Sequence, residues 1–393
     1  MNADTDSHAA LPLMQGNRAE MLIDGPKAHR AMFDAMERAR DHINLQTYIL
    51  EAGEIGEELA RVLEHKAGEG TRVNILYDSL GSIGTPRAYF DRLRGAGIAV
   101  CEFNPVNPVR AKLRWRLNNR AHRKILVVDG RVAFTGGINI SSAYSSGSRG
   151  HRAPQDVKPG EESARGWRDT QVRVDGPAVA RFQRLFLDGW ALQDCEPVAS
   201  AQYFPPLEPQ GELAMRVLSS DPRSGRNEMF DALQSAIDGA AHRVWLTYGY
   251  FVPDPRTVQA LMRAARRGVD VRLMLPGFSD FWAPVYAGRS HYDALLGAGV
   301  RIFEWHDALL HAKTAVIDSH WGSIGSTNLD WRSLVHNYEA DVVVYDAGFA
   351  RELEQRFALD VDAAIEVTPD AWARRSALGR IKEWFARQWE YLL

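Results

Sequence analysis

The sequence predicts an α/β protein built from two homologous lobes related by a pseudo-two-fold axis. Three observations predict it: a duplicated helix–strand pattern, a duplicated His-Lys element, and a Pro-rich stretch between the copies. Met32-Phe33-Asp34-Ala35-Met36 recurs as Met229-Phe230-Asp231-Ala232-Leu233. AHRKILVVDGRVAFTGGINIS matches HAKTAVIDSHWGSIGSTNLD, and His122 to Asn139 and His311 to Asn328 both span 17 positions. In each copy Lys follows His by 2 residues and Asp follows it by 7. Internal repeats set the architecture, so they are read before anything else.

The elements follow in order. Residues 1–17 carry Asp4 and Asp6 where a signal peptide carries Lys or Arg, and read as a flexible, uncleaved start. Residues 18–195 form the first lobe. Met32, Phe33, Met36, Ala39 and Ile43 recur at helical spacing, and INLQTYI near residue 45 reads as a strand. A second helix closes at Gly70, RVNILYD (72–78) is the next strand, and a short helix leads to AGIAVCEF (96–103). Residues 196–210 are Pro-rich and read as a linker. The second lobe, 211–365, repeats the order. Phe230, Leu233, Ile237 and Ala241 mark its helix, VWLTYGYF near residue 247 its strand, and Gly268 the next cap. DVRLMLP (270–276) and AGVRIFEW (298–305) follow. This β-α-β-α-β order, met twice, predicts a mainly parallel mixed sheet flanked by helices in each lobe. Residues 145–166 read as a mobile loop, and 366–393 as a basic amphipathic helix.

Composition narrows the function. The chain has 393 residues, 45% of them hydrophobic and 25% charged, which is a globular make-up. A net charge of −3 excludes a basic whole-protein nucleic-acid binder but allows a local basic patch. The 2 cysteines, Cys101 and Cys195, exclude a disulfide framework and Cys-based metal sites, and read as buried or half-buried thiols. No run of about 18 apolar residues exists to span a bilayer, so membrane contact must be peripheral.

The repeated element carries the chemistry. Side chains alternate along a strand, so His122 and Lys124 emerge on one face and Asp129 on the other. His311, Lys313 and Asp318 behave alike. A Lys beside a His suits a phosphate: Lys supplies a point charge, and imidazole attacks when neutral or donates a proton when charged. Two such pairs suit a two-step displacement at phosphorus, one His attacking and the other protonating the leaving alcohol. Asn139 and Asn328, in the turns TGGIN and GSTN, can donate amide hydrogens to phosphate oxygens. A nucleophilic His needs an acceptor on its far nitrogen, and Asp169 and Glu339 are the candidates. Asp129 and Asp318 read as supports for the strand ends.

HxKxxxxD followed by GGxN or GSxN, present twice, resembles the phospholipase D superfamily. NNRAHRKILVVDGRVAFTGGINIS, WRDTQVRVDGPAV and SIGSTNLDWRSLVHNYEADVVVYD are most similar to bacterial cardiolipin synthases, across roughly residues 18–365. The resemblance implies two phospholipase D-like lobes sharing one site, with no metal or other cofactor. It implies phosphatidyl transfer through a phosphohistidine, with phosphatidylglycerol as acceptor and phosphatidylglycerol or phosphatidylethanolamine as donor. It makes His122 the nucleophile and His311 the general acid. Lys124, Lys313, Asn139 and Asn328 become the phosphate cradle, and Asp169 and Glu339 the carboxylates behind the histidines. The motif also counts Asp129 and Asp318. Lacking the transmembrane helices of many relatives, the sequence resembles their short, peripheral group, which implies the bacterial cell membrane approached from its cytoplasmic side.

Two stretches fit an anionic membrane surface. Residues 105–124 hold 7 Lys or Arg and no acid, and interleave Arg110, Lys112, Arg114, Arg116 and Arg120 with Leu113, Trp115 and Leu117. Each such cation near an anionic bilayer contributes about 1 kcal/mol. The C-terminal segment sets Trp372, Leu378, Ile381, Trp384, Phe385 and Leu392 toward one side, with basic residues between them. The rival readings are a phospholipid hydrolase, a nuclease of the same superfamily, and a non-enzymatic membrane-binding protein. Phospholipids, rather than nucleic acid, are the expected partners.

Overall fold

The computed structural model describes residues 12–106, 118–149, 166–193, 195–279 and 281–392. The first lobe runs β1 (Met14–Ile23), α1 (Asp24–Glu37), β2 (His42–Thr47), α2 (Glu54–Gly68), β3 (Arg72–Asp78), α3 (Arg87–Gly95) and β4 (Ala99–Phe103). It continues with β5 (Arg120–Ala121), β6 (Ile125–Val128), β7 (Val132–Gly136), β8 (Trp167–Arg168), β9 (Thr170–Asp175) and α4 (Val179–Ala191). The second lobe runs β10 (Leu213–Asp221), β11 (Arg226–Asn227), α5 (Glu228–Gly239), β12 (Arg243–Tyr248), α6 (Pro255–Arg266), β13 (Asp270–Pro276), α7 (Trp282–Arg289), α8 (Tyr292–Gly297) and β14 (Arg301–Trp305). Then come β15 (Leu309–Leu310), β16 (Lys313–Ile317), β17 (Trp321–Gly325), α9 (Trp331–Val335), β18 (Asn337–Tyr338), β19 (Ala340–Tyr345), α10 (Ala347–Asp362), β20 (Ile365–Glu366), α11 (Pro369–Ala373) and α12 (Ala377–Arg387).

One continuous sheet joins the lobes through an antiparallel β1–β10 contact. Outward from that seam the order is β9-β7-β6-β2-β3-β4 on one side and β19-β17-β16-β12-β13-β14 on the other. Corresponding strands occupy corresponding places, which is the pseudo-two-fold the repeat predicts. Gly70 and Gly268 follow α2 and α6 with φ of +91° and +90°, a left-handed conformation that ends a helix at no steric cost to glycine. The sheet is less parallel than expected. In the large sheet, parallel pairing is confined to β2-β3-β4 and β12-β13-β14, where helices make the crossovers. β6 and β16, the strands at the His-Lys element, pair antiparallel on both sides, and tight turns such as the one at Asp129-Gly130 set the pairing with the next strand.

Each lobe has its own core, and a third core is shared across the seam. There Val127, Val172 and Phe182 of the first lobe pack with Val316, Val342 and Leu353 of the second. Burying each such side chain stabilises the fold by about 1.5–3 kcal/mol, so the lobes hold one relative position.

Four expectations change. Cys101 and Cys195 are not thiols: they form a disulfide, with Cα atoms 5.8 Å apart, that ties β4 to the segment after α4. Residues 94 apart in sequence meet because α4 returns the chain to that sheet edge. Arg120 is not a surface cation; it is 1% exposed and its guanidinium lies 3.4 Å from the Asp78 carboxylate. Residues 366–393 are not one helix, since α11 and α12 are separated at 374–376. Trp372 also leaves the apolar stripe and packs against the Tyr292 ring, with centroids 4.9 Å apart. Arg110, Lys112, Arg114, Arg116 and residues 150–165 of the predicted loop lie outside the described residues.

Candidate active site

Four two-residue strands set up the site. β5 runs parallel to β18, with Arg120 opposite Asn337 and Ala121 opposite Tyr338. The next residues in that register are His122 and Glu339. β8 runs parallel to β15, with Trp167 opposite Leu309 and Arg168 opposite Leu310. Here the next residues are Asp169 and His311. Both ladders join one lobe to the other, so each histidine meets a carboxylate from the opposite lobe. His122 Nδ1 lies 2.9 Å from both Glu339 carboxylate oxygens, and His311 Nδ1 lies 2.7 Å from Asp169 Oδ2. Both histidines line one cavity of about 440 Å³, together with Asn139 and Asn328. Lys124 Nζ donates to the His122 carbonyl at 2.7 Å, and Lys313 Nζ donates to that of His311.

Burial governs the charges. It pushes His122 down to about 4, with Lys124 and Lys313 adding to the shift and Glu339 opposing it. Burial alone would raise Glu339. His122, Lys124 and Ser326 outweigh it and hold the carboxyl below its ordinary range. A neutral ring therefore faces an ionised carboxylate, which fixes the proton on Nδ1 and leaves Nε2 with its lone pair. On the other side, burial raises Asp169 to about 6 against the opposing pull of Lys313, the Thr170 N–H and Arg168. Burial also lowers Lys124 to about 7 and Lys313 to about 8.

The remaining predicted residues divide. The Asp129 carboxylate accepts from the backbone N–H groups of Arg40, Asp41 and His42 at 2.8–3.2 Å. Asp318 accepts from those of Ala241, His242 and Arg243 at 2.8 Å. Both point away from the cavity and pin a strand end. Asn139 is partly engaged: its Oδ1 accepts from the Ile49 N–H at 3.1 Å and its Nδ2 donates to the Tyr144 hydroxyl at 3.1 Å. Asn328 is freer, since its Oδ1 is buried without a hydrogen-bond partner. The glycines of the turn have a packing reason. A Cβ on Gly137 would lie 2.1 Å from Asp169 Oδ1, so only glycine lets that carboxylate sit behind His311.

Several residues in and behind the cavity escape sequence reasoning. Ser326 and Ser333 donate to Glu339 at 2.6 and 2.9 Å, and Asn337 donates to it at 3.2 Å. The Tyr144 hydroxyl lies 3.2 Å from His311 Nδ1. The rings of Tyr48 and Trp167 approach His122 and His311, with centroids 5.1 and 5.0 Å away. The signal for them lies in aligning the two repeats beyond the motif. That alignment puts Tyr144 against Ser333 and Trp167 against Asn337, differences that mark side chains specific to one half. Among the described residues no cluster of three or more His, Cys, Asp or Glu is placed to hold a metal ion.

Comparison with known proteins gives the family. The family described as "Cardiolipin synthase, PLD-like domain" matches residues 32–149 and 233–361. The chain belongs to the cardiolipin synthase family. It is 35% identical to a cardiolipin synthase of Listeria monocytogenes over 379 residues, covering 95% of this chain and 75% of that one. It is 32% identical to cardiolipin synthase 1 of Bacillus anthracis over 384 residues, covering 96% of this chain and 72% of the relative. Its fold is similar to that of a phosphatidylserine synthase of Haemophilus influenzae, with a TM-score of 0.67, 14% identity and 98% of each chain covered. This family is one of phosphatidyltransferases, so the chain is an enzyme of that class. No helix among the described residues is long and apolar enough to cross a membrane.

Proposed function

We propose that the chain makes cardiolipin by moving a phosphatidyl group between phospholipids in two displacements at phosphorus. His122 Nε2 attacks the donor phosphorus, the P–O bond to the donor headgroup breaks, and His311 gives its proton to the departing alkoxide. His311 then takes the proton of the acceptor hydroxyl. That oxygen attacks phosphorus and the P–N bond to His122 breaks. Phosphatidylglycerol is the acceptor, and phosphatidylglycerol or phosphatidylethanolamine the donor. Lys124 and Lys313 hold the non-bridging oxygens, with Asn328 and the spare amide hydrogen of Asn139. The observation that carries this reading is the crossed pairing: two histidines, each backed by the other lobe's carboxylate, line one cavity. The charge pattern supports the order of events. A neutral His122 over an ionised Glu339 suits a nucleophile, and a raised Asp169 beside His311 suits a pair that keeps a proton to give.

The surroundings support a lipid substrate and a peripheral approach to an anionic membrane. Only Glu383 and Ala386 of α12 are buried. Leu378, Ile381, Trp384 and Phe385 of α12 stand 51–65% exposed. Phe281 and Leu392 are also at least half exposed and line the cavity, so the apolar surface is continuous with its mouth. Trp and Tyr on such a surface suit the headgroup zone. The disulfide pulls against a cytoplasmic-side placement, since such bonds persist mainly in oxidising compartments. Alkylation of intact cells followed by mass measurement decides this: modified cysteines favour the cytoplasmic side, and a protected disulfide the opposite face.

Vesicles of phosphatidylglycerol, with and without phosphatidylethanolamine, test the function. Cardiolipin made by the wild type and lost in His122→Ala and His311→Ala supports it, and the released glycerol or ethanolamine names the donor. Phosphatidic acid as the sole product means a hydrolase, and no lipid turnover sends the search to single-stranded nucleic acid.

A further inference from the structure

The cavity holds two cations outside the paired motif. Arg120 and Arg332 both line it beside Tyr48, whose hydroxyl feels both guanidinium charges. Neither has a charged counterpart in the repeat. Two residues before the motif histidine, Arg120 corresponds to Leu309; four residues after the motif asparagine, Arg332 corresponds to Ala143. The pseudo-two-fold is therefore broken toward positive charge at the His122 end.

Both guanidiniums have capacity to spare. Arg120 is 1% exposed and donates to the carbonyls of Asn119 and Asn104, while its Nη1 makes no hydrogen bond and only faces Asp78 Oδ1 across an ion pair. Its ion pair to Asp78 is 3.4 Å long, and that carboxylate already accepts from the Leu80, Gly81 and Ala121 N–H groups. Arg332 is half-buried and makes no side-chain hydrogen bond or ion pair with any described residue. The acid nearest to it in the cavity, Asp330, is occupied as the cap of α9, accepting from the Ser333 N–H at 2.6 Å. A buried guanidinium nitrogen without a hydrogen bond is costly unless a further acceptor completes it.

We propose that Arg120 and Arg332, with Tyr48, form a second anion subsite, which holds the acceptor lipid's own phosphodiester while its hydroxyl reacts. This rests on the transferase reading above and says what the acceptor must carry. The donor phosphate occupies the lysines at the histidine pair. An anionic acceptor brings another phosphate, a few bonds from its reacting hydroxyl, into the same cavity, and it needs a separate cation. Water needs none, so the subsite favours synthesis over hydrolysis. Arg suits it better than Lys because its planar fork bonds two phosphate oxygens at once.

The test sets an anionic acceptor against a neutral one in the same tube. The full chain is incubated with phosphatidylglycerol in phosphatidylcholine vesicles plus isotope-labelled glycerol. Mass spectrometry then gives the ratio of cardiolipin to phosphatidylglycerol that has gained the label. Both products pass through the same first step and the same membrane-bound enzyme, so the ratio reports only acceptor choice. Arg332→Gln should lower that ratio at least about tenfold, the usual scale for losing a charge-assisted hydrogen bond, and Arg332→Lys should restore part of it. An unchanged ratio in Arg332→Gln, or a Lys variant no better than Gln, overturns the subsite while cardiolipin from the wild type keeps the transferase reading. A wild type that exchanges glycerol but makes no cardiolipin removes both together.

Discussion

The His122 half of the site and the His311 half come from one repeated sequence, yet they differ in everything that surrounds the shared frame. Both present His, then Lys two residues on, and both take their carboxylate from the other lobe. Around His122 the carboxylate is a Glu held by Ser326, Ser333 and Asn337, and two arginines flank Tyr48. Around His311 it is an Asp raised to about 6, and the neighbours are Trp167, Tyr144 and Tyr250. One half is polar and cationic, the other aromatic. The duplication supplies two like frames, and the flanking side chains make them unequal, an inequality on which the proposed division of attack from proton transfer rests.

The largest expected effects break the crossed pairing. Glu339→Gln should lower kcat by about 10³-fold or more, because an amide cannot stabilise the imidazolium that forms on His122. Asp169→Asn should cost less, about 10²-fold, as expected for a proton-transfer partner. Steady-state rates of double variants sharpen the comparison. His122→Ala with Glu339→Gln should be no slower than His122→Ala alone, because residues acting as one unit are not additive. His122→Ala with Glu339→Gln replaced by Asp169→Asn should be slower than either single change.

A smaller effect separates the halves by pH. Burial sets Lys124 and Lys313 at about 7 and about 8. A depressed Lys is charged only below its pKa, so kcat/KM should fall as pH rises through 7 to 8. Bound phosphate restores the charge, so kcat should fall less over the same range. A pH–rate profile for each parameter checks this, and Lys124→Arg should carry the fall in kcat/KM to higher pH.

Much of this was legible in the sequence. The fixed His-Lys-Asp-Asn spacing located both strands, their turns and the two lobes, because strand alternation and tight-turn chemistry are local. The alternation also separated Asp129 and Asp318 from the cavity. The partners of the histidines were legible only as candidates, because their pairing depends on the register of β5 with β18 and β8 with β15, a contact between lobes. The Cys101–Cys195 bond was misread for the same reason: it closes over α4 and a sheet edge that spacing alone does not bring together. The split of the C-terminal segment into α11 and α12 was missed because its basic and apolar residues keep helical spacing across the break.

The smallest effect concerns those aspartates. Asp129→Ala should destabilise the fold by about 1–3 kcal/mol, the cost of losing charge-assisted hydrogen bonds to three successive, partly exposed N–H groups, and Asp318→Ala should do the same. Denaturant unfolding measures it, and activity per folded molecule should change far less than in Glu339→Gln.

The most direct measurement is to trap the intermediate. His122→Ala and His311→Ala, each incubated with phosphatidylglycerol vesicles and quenched at alkaline pH, are digested and their peptides weighed. A phosphatidyl adduct on His122 in the His311→Ala enzyme, with none on His311 in the His122→Ala enzyme, is the predicted result. An adduct on His311 alone would reverse the roles of the two halves, and turnover with no adduct on either histidine would contradict the two-step account.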